Sequence, residues 1–328
     1  MKKYSIGVDI GGTKCAVLLG KGSIPAQADD GFILEKKSFF TQPEKGLQYT
    51  LDRLYAAVDA LLLERKVDAD QVTGIGISCG GPLDHEQGIV LNPPNLYGWN
   101  SVPIVELLQE RYGIPARLQN DANACALAEW RFGAARGCRN VIFLTFGTGM
   151  GAGLILDGRL YNGVSNMAGE VGHIRLEPNG PVGYGKAGSF EGFCSGGGLI
   201  QLARSIAVEK LQQGQPPLFC PDFAALNSLN AKNVAEAAEK GDPIAAEVYR
   251  VCGEKLGKGL AVLVDLLNPE IIVIGSIFAR SRELLWPHAR AVLRREALMR
   301  SLEACRVVPS ALGEHLGDYA ALSVAFAQ

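Results

Sequence analysis

The sequence has no excess of charge of either sign. Its 328 residues include 32 Lys and Arg against 34 Asp and Glu, which gives a formal net charge of −2 at pH 7. Binding to nucleic acid or to an acidic membrane surface usually depends on a basic patch or a basic excess. We therefore expect no nucleic acid and no membrane among the partners.

Long apolar runs are also missing. The apolar run near the amino terminus, 4–10, already contains Asp9, so it is too short and too polar for a signal peptide. The longest candidate for a membrane span, 259–279, is interrupted by Asp265, Asn268, Pro269 and Glu270. These absences predict a cytoplasmic protein.

Paired cysteines are absent as well. The eight cysteines are scattered so that no two lie within four residues of each other, which excludes a C-x-x-C metal or redox pair. Cys15 and Cys79 lie in apolar runs, where a free cysteine often acts as a small buried hydrophobic residue. The pattern favours reduced thiols over a disulfide framework.

Glycine, by contrast, is abundant. It accounts for 40 of 328 residues, about 12% where about 7% is usual, so many turns or close backbone contacts need an explanation. With roughly 150 residues per domain, the length predicts about two compact domains. Phosphate-binding loops would account for several of the glycines.

The two halves of the chain open in the same way. Segments 4–19 and 141–156 each have the pattern of strand, glycine-rich turn and strand, which predicts two β-hairpins. Past Glu191 the sequence is mostly helical, and Asp242 and Pro243 are placed as the N-cap and first-turn residues of a long helix that runs to about Leu267. The duplication predicts an α/β protein with a first domain at 1–118 and a second at 119–311. We also expect a helix at about 312–328 to pack back on the first domain.

The first glycine turn carries an acid and a hydroxyl. Asp9 ends the first strand, and Gly11, Gly12, Thr13 and Lys14 follow it. Glycines allow close backbone approach, so successive N–H groups can surround phosphate oxygens, while Asp9 could hold a hydrated Mg²⁺. A plain hairpin turn is the alternative, because the motif is short.

The second turn has glycine at every other position from 147 to 153, beginning with Gly147, Thr148 and Gly149. Alternating glycines suit either a flat strand face packed against a bulky group or a loop around a nucleotide. Alone, the pattern is weak. Because it occupies the same place in the second half as the first turn does in its own, the pair predicts two turns that clamp one polyphosphate.

Five motifs in order resemble the ROK family of sugar kinases, repressors and open reading frames. They are DIGGTK at 9–14, GGP at 80–82, QNDAN at 119–123, the glycine-rich turn at 147–153, and GEVGH at 169–173. The resemblance covers nearly the whole chain. It implies a two-domain α/β fold of the ribonuclease H-like type, as in actin and hexokinase, with ATP, Mg²⁺ and a small-molecule sugar in the interdomain cleft. It also implies a homodimer or a larger homo-oligomer.

The resemblance makes Asp121 the general base and Asn120 a ligand of a neighbouring sugar hydroxyl. Both residues precede an Ala-rich helix at 122–132, so either could instead be its N-cap. An aspartate suffices as the base because phosphoryl transfer has a loose transition state that asks little beyond position. We expect the helix amino terminus to keep Asp121 ionised.

Further sugar ligands are implied at matching positions. Glu170, His173 and Glu191 supply two acids and an imidazole, which suit a polyol because carboxylates accept hydrogen bonds from neighbouring hydroxyls. The first half adds Gly81 and Asn95. The simpler alternatives are a surface pair or a core histidine for Glu170 and His173, and a proline-rich turn for Asn95.

Two segments depart from the family pattern. Many members hold a structural zinc with three cysteines and the motif histidine, but Val182, Tyr184 and Ser189 stand at the cysteine positions here. These residues cannot form a tetrahedral Cys₃His site, so we expect no zinc. In the second segment a glycine triplet near the adenosine is reduced to Gly275 followed by Ser276, which leaves Gly275 as the nucleotide ligand.

The resemblance, with the residues that carry it, implies an ATP- and Mg²⁺-dependent kinase acting on a hydroxyl of a hexose or hexose derivative. The competing class is a sugar-sensing regulatory or binding protein of the same family without a DNA-binding domain. Repressors of the family carry a helix-turn-helix domain ahead of the kinase-like part; because the first strand begins here at residue 4, we expect no such domain. The presence of both Asp9 and Asp121 argues against a catalytically silent protein. The identity of the sugar stays open.

Overall fold

The computed structural model describes residues 3–25 and 31–327 of the chain. They form two five-stranded sheets, two short two-stranded ribbons and the helices around them. Within these ranges, no helix has both the length and the apolar character needed to cross a membrane. All eight cysteines are free thiols, and Cys15 and Cys79 are buried, as predicted.

The strands are short and spread along the chain. In chain order they are β1 (Tyr4–Ile10), β2 (Lys14–Lys21), β3 (Ile33–Phe40), β4 (Val72–Cys79), β5 (Leu83–Asp84), β6 (Ile89–Val90), β7 (Ala116–Asn120), β8 (Val141–Leu144), β9 (Ala152–Leu156), β10 (Arg159–Leu160), β11 (Val182–Gly183), β12 (Lys186–Ala187), β13 (Ile271–Ile274) and β14 (Arg306–Pro309).

The helices are concentrated in the second half. They are α1 (Gly46–Arg65), α2 (Ile104–Tyr112), α3 (Asp121–Arg131), α4 (Phe190–Phe193), α5 (Gly196–Gln212), α6 (Ala231–Glu239), α7 (Pro243–Leu267), α8 (Ile277–Arg280), α9 (Arg282–Glu296), α10 (Met299–Glu303) and α11 (Leu316–Val324). The longest, α7, begins where the sequence predicts, because the Asp242 carboxylate accepts from the backbone N–H of Ile244 at 2.8 Å and caps the helix.

The first sheet has the strand order β3-β2-β1-β4-β7. The strands β1, β2 and β3 pair antiparallel, and β1, β4 and β7 pair parallel. Alternate residues of β2 face opposite sides: Val17 and Leu19 pack in the cluster with α1 and α2, whereas Ala16 and Leu18 pack against α11. The sheet is therefore covered on both faces.

The second sheet has the order β10-β9-β8-β13-β14, and its β8–β9 hairpin matches the β1–β2 hairpin of the first. Both predicted hairpins are confirmed. Val141 and Phe143 of β8 pack in the cluster with α3, and Ile142 and Leu144 pack in the cluster with α5 and α7.

Helices α3 and α11 pack against each other between the two sheets, with α11 on the first sheet and α3 on the second. The approach of α11 to its sheet is very close: a methyl group on Gly76 would lie 2.2 Å from the carbonyl oxygen of Ala321, and one on Gly7 would lie 2.9 Å from the nitrogen of Leu322. Part of the glycine excess therefore serves helix packing and not phosphate binding.

The register of the parallel strands brings their carboxyl ends to one edge of the first sheet. Asp9 of β1 pairs with Ser78 of β4, and Ser78 pairs with Gln119 of β7. Because neighbouring strands are about 4.7–4.9 Å apart, the backbones of Asp9 and Gln119 lie about 10 Å apart. Asn120 and Asp121 follow directly at this edge, where the functional residues gather.

Candidate active site

The turn between β1 and β2 is closed by its own hydrogen bonds. The N–H of Gly11 donates to the carbonyl of Lys14 at 3.2 Å, and the hydroxyl of Thr41 donates to the carbonyl of Gly11 at 2.5 Å. A methyl group on Gly12 would lie 2.5 Å from Cβ of Asn95. Glycine is required at this position because the loop that carries Asn95 comes so close.

One cleft joins this turn to the second half of the molecule. Its volume is about 730 Å³, and residues from both glycine-rich turns line it. The lining residues are Gly11, Gly12, Thr13, Lys14, Pro43, Pro94, Asn95, Tyr97 and Thr148. The structure thus brings the predicted phosphate-binding residues of the first turn together with Thr148 and with the predicted sugar ligand Asn95.

The second turn lies against two neighbouring loops. The carbonyl of Gly147 accepts from the N–H of Gly196 at 2.7 Å, at the start of α5. Gly275 donates from its N–H to the carbonyl of Leu144 at 3.0 Å, and a methyl group on Gly147 would lie 3.5 Å from Oγ of Ser276. Gly147 and the Gly275–Ser276 loop are therefore neighbours.

Ser276 has a backbone conformation that favours glycine. Its φ is +56° with ψ −115°, a region that side-chain-bearing residues rarely adopt. Its hydroxyl accepts from the guanidinium of Arg280 at 3.3 Å. Ser276 therefore has a backbone conformation typical of glycine, although it carries a side chain, and that side chain lies beside the second turn.

The Asn120–Asp121 pair lies where β7 passes into α3. Asn120 is the N-cap, while Asp121 is the first residue of the helix and accepts from the N–H of Ala122 at 2.8 Å. Asp121 is exposed to solvent at this edge, although enough protein surrounds its carboxylate for burial to affect its pKa. The backbone N–H lowers the pKa of the Asp121 carboxyl as expected from a helix terminus, but burial acts more strongly and raises it.

Asp9 lies among other acids. Burial, with smaller contributions from Asp318 and Asp121, raises the pKa of the Asp9 carboxyl to about 7, and Lys36 opposes the shift. Asp318 of α11 is nearly buried and pairs with the ammonium group of Lys36 at 2.5 Å. Sequence reasoning missed Asp318, because the helix that carries it joins this edge only through the tertiary fold.

This cluster fits the predicted magnesium ion. The carboxylates of Asp318 and Asp121 both act on Asp9, and the ammonium group of Lys36 pairs with Asp318. Carboxylate oxygens at the edge of a phosphate cleft suit a divalent cation that keeps several waters. Among residues 3–25 and 31–327, no group of three His, Cys, Asp or Glu side chains is arranged to hold a metal ion by itself.

The predicted sugar ligands of the second half come together. The Glu191 carboxylate accepts from the N–H of Met150 at 3.0 Å. Burial raises the pKa of the Glu170 carboxyl, His173 lowers it, and Asp121 and Glu191 raise it further. His173, Asp121 and Glu191 therefore each lie within electrostatic reach of Glu170.

The segment that departs from the zinc pattern is held by other contacts. The turn between β11 and β12 places the ring of Tyr184 edge-on against His173, with ring centres 5.3 Å apart at 85°, and Lys186 donates to the carbonyl of His173 at 2.7 Å. Ser189 is buried and caps α4 by accepting from the N–H of Gly192 at 3.0 Å. Val182, Tyr184 and Ser189 do not fit a zinc ion.

Gly81 lies apart from these contacts. It is exposed in the loop after β4, beside a cis bond to Pro82, and a methyl group there would come no closer than 4.0 Å to the nitrogen of Leu83. Nothing in the described part of the chain draws it to the other sugar ligands.

Two covered sheets, a cleft between two glycine-rich turns and a carboxylate at the end of β1 define the class of two-domain ATPase folds that includes actin and hexokinase. The ROK family model matches residues 5–327, and the chain belongs to the ROK family.

The relatives match over most of their length. The chain is 32% identical over 320 residues to a glucokinase of Thermotoga maritima, covering 97% of this chain and 96% of the relative. A ROK family glucokinase from Streptomyces griseus, solved in complex with glucose and AMPPNP, is similar with a TM-score of 0.75, 31% identity and 98% of each chain covered. A ROK family transcriptional regulator, a homologue of the E. coli MLC protein, has a TM-score of 0.82 and 25% identity over 99% of this chain and 78% of that one. The predicted family and fold class are confirmed.

Proposed function

We propose that this protein transfers the γ-phosphoryl group of ATP to a hydroxyl of glucose or a closely related hexose. The protein is a sugar kinase of the ROK family, and the proposal adds the donor, the residues and the first sugar to test. The observation that carries it is one cleft lined by both glycine-rich turns, next to the interacting carboxylates of Asp9 and Asp121.

In this proposal the phosphates of ATP lie between the two turns. Backbone N–H groups of Gly12 and Thr13 on one side and of Thr148 and Gly149 on the other stabilise their charge, while Gly11 lets the phosphates approach the turn closely. Lys14 adds a cation on the same cleft wall. The adenosine would lie toward the Gly275–Ser276 loop, which adjoins Gly147.

Asp9 would hold Mg²⁺ through water. The bound ion would neutralise the negative charge on the phosphoryl group that is transferred. Asp9 must be ionised for this role. Because its pKa is raised to about 7, its charge state changes near neutral pH, and Lys36 works in favour of the ionised form.

Asp121 would accept the proton of the attacking sugar hydroxyl. A raised pKa makes a carboxylate a stronger base, and burial gives Asp121 that shift. Asn120 uses Oδ1 for its capping bond, so its Nδ2 is available to a neighbouring hydroxyl. Glu170, His173 and Glu191 would bind the remaining hydroxyls.

Glucose is the first candidate because several curated relatives at 30–32% identity are glucokinases. The test is a coupled assay of ADP release with MgATP over glucose, fructose, mannose, allose and N-acetylated hexosamines. We expect turnover with at least one of them, and loss of that turnover in Asp121→Asn purified in parallel, which excludes a contaminating kinase. Background ATP turnover with every sugar, from folded protein, would count against the proposal.

A sugar-sensing role without turnover is the second candidate, because the transcriptional regulator has the same fold with a TM-score of 0.82. Titration calorimetry distinguishes the two. A sensor binds its sugar with no ADP release under any condition, whereas a kinase that binds the sugar also releases ADP.

A further inference from the structure

A chain of side-chain hydrogen bonds links the two halves of the molecule beside the proposed base. Asn162, just after β10 in the second sheet, accepts at Oδ1 from Nε2 of Gln119 at 3.2 Å and from Nδ2 of Asn123 at 2.9 Å. Its Nδ2 lies 3.1 Å from Nε2 of His85, in the turn between β5 and β6 of the first half.

A backbone donor fixes the direction of this chain. The N–H of Asn120 can only donate, and its partner at 3.1 Å is Oε1 of Gln119. Gln119 therefore turns its Nε2 toward Asn162, and the facing atom of Asn162 must be the carbonyl oxygen. The remaining NH₂ group of Asn162 then faces His85.

Asn123 agrees with this direction. Its Nδ2 donates to Oε1 of Gln119 at 3.1 Å and to Oδ1 of Asn162. Its own Oδ1 is buried and has no hydrogen-bond partner among the described residues. Reversing the Asn123 amide would place its oxygen against two acceptor oxygens, those of Gln119 and Asn162. The donors and acceptors therefore stay as described, and Oδ1 of Asn123 remains without a partner among the described residues.

We propose that His85 is a positioning residue for the Asn120–Asp121 corner and that it acts through Asn162 as a hydrogen-bond acceptor. Because Asn162 presents an NH₂ group, His85 must be neutral, with its proton on Nδ1 and a lone pair on Nε2. The proposal rests on the proposed function, since Asp121 is the proposed base.

The physical effect is a restraint across the cleft. Gln119 immediately precedes Asn120, and Asn123 donates the backbone bond that Asn120 caps. The side chains of Gln119 and Asn123 both donate to Asn162, and Asn162 in turn contacts His85 of the first half. Removing the acceptor at position 85 breaks the link between Asn162 and the first half, so Asn162 and the two side chains bonded to it are less firmly held.

The tautomer can be measured without any activity. The chain has four histidines, so the imidazole ¹⁵N resonances can be assigned by comparing wild type with His85→Gln. At pH 7.5 we expect His85 in the Nδ1–H form. An Nε2–H tautomer, or an imidazolium, would overturn the proposal whether or not the protein phosphorylates a sugar.

Kinetics test the positioning role on the best sugar. His85→Leu removes the acceptor and should lower kcat about tenfold, well within the loss expected from a misplaced catalytic group, with the KM for ATP unchanged. His85→Gln retains an acceptor oxygen and should restore kcat to within about twofold, because the Asn162 NH₂ regains a partner.

Two further variants complete the test. Gln87→Leu places the same leucine at an exposed position of the same turn and should match wild type. Asn162→Leu should also lower kcat, and combining it with His85→Leu should cost little more, because both break one network. Wild-type kcat in His85→Leu, no rescue by glutamine, or additive losses would each contradict the proposal. Wild-type protein that phosphorylates no sugar would instead remove the proposed function, and the tautomer measurement would still decide the state of His85.

Discussion

The side-chain oxygen of Asn120 accepts a hydrogen bond from the backbone N–H of Asn123 at 2.8 Å, which makes Asn120 the N-cap of α3. Two candidates for the cap stand side by side in the sequence, and this bond decides between them. Asp121 is the first residue inside the helix, so its carboxylate is not needed for capping.

Asp121→Asn therefore tests the base without disturbing the cap. The substitution preserves shape but removes the group that receives the hydroxyl proton. Because positioned bases contribute about 10²–10⁴-fold, kcat should fall at least ~10²-fold. The sugar Kd, measured by calorimetry without ATP, should change less than about tenfold, or about 1.4 kcal/mol. A variant with near-normal kcat would remove Asp121 from the mechanism.

The pH dependence of nucleotide use should reflect Asp9. Its pKa is raised to about 7, so the carboxyl is protonated below this pH and cannot hold Mg²⁺. The kcat/KM for MgATP, measured at saturating sugar from pH 5.5 to 8.5, should fall as the pH is lowered through about 7. A profile flat down to pH 5.5 would show that ionised Asp9 is not required.

Ionisation of Asp9, which should favour nucleotide use, should lower the stability of the fold. An unfolded aspartate has a pKa of about 3.9, so between that pH and 7 the native state binds more protons, and the Asp9 contribution destabilises the fold increasingly as the pH rises. Asp9→Asn should raise Tm at pH 8 by about 2 °C or more, while turnover falls. The rise in Tm of Asp9→Asn over wild type should vanish near pH 4, which serves as the internal control. An equal rise at pH 4 and pH 8 would show that ionisation of Asp9 is not its cause.

The Tyr184 ring should support sugar binding in place of the missing metal. Tyr184 has φ +43°, a conformation that asparagine tolerates well, so Tyr184→Asn removes the ring and keeps the turn. An aromatic pair is worth about 0.5–1.5 kcal/mol, which corresponds to a rise of about 2- to 12-fold in the sugar KM, with little change in kcat.

The matched control for that variant is Tyr184→Phe, which keeps the ring and should behave as wild type.

Elemental analysis of chelator-washed protein should find no stoichiometric zinc. Bound zinc at one equivalent, or an unchanged KM in Tyr184→Asn, would show that His173 is held in another way.

We also predict a homodimer or a larger homo-oligomer. Light scattering on the purified protein at micromolar concentration should give at least twice the chain mass of 34.9 kDa. A monomeric mass at that concentration would contradict the prediction.

Local features could be predicted from the sequence. The two hairpins follow from apolar runs interrupted by glycine, and the cap at Asp242 follows from an acid directly before a proline. Such signals depend on neighbouring residues alone. The motif residues of both turns could be placed for the same reason, since each turn is built by its own hairpin.

Contacts between distant segments could not be predicted. Asp318 acts on Asp9 from the other end of the chain, and Asn162 meets His85 across the two halves. No local pattern marks either pair. The glycines under α11 were likewise hidden, because Gly7 and Gly76 lie within ordinary apolar strands and only the packed helix shows why a side chain is excluded.

The position of α11 in the chain has a consequence for biosynthesis. This helix covers one face of the first sheet, yet it follows β7, the last strand of that sheet, only after the whole second sheet has been translated. At about 5–20 residues per second, the ribosome needs roughly 10–40 s to cover that distance. During this interval the glycine-lined groove at Gly7 and Gly76 is an open docking site on a nascent chain, so the half that is made first is completed last.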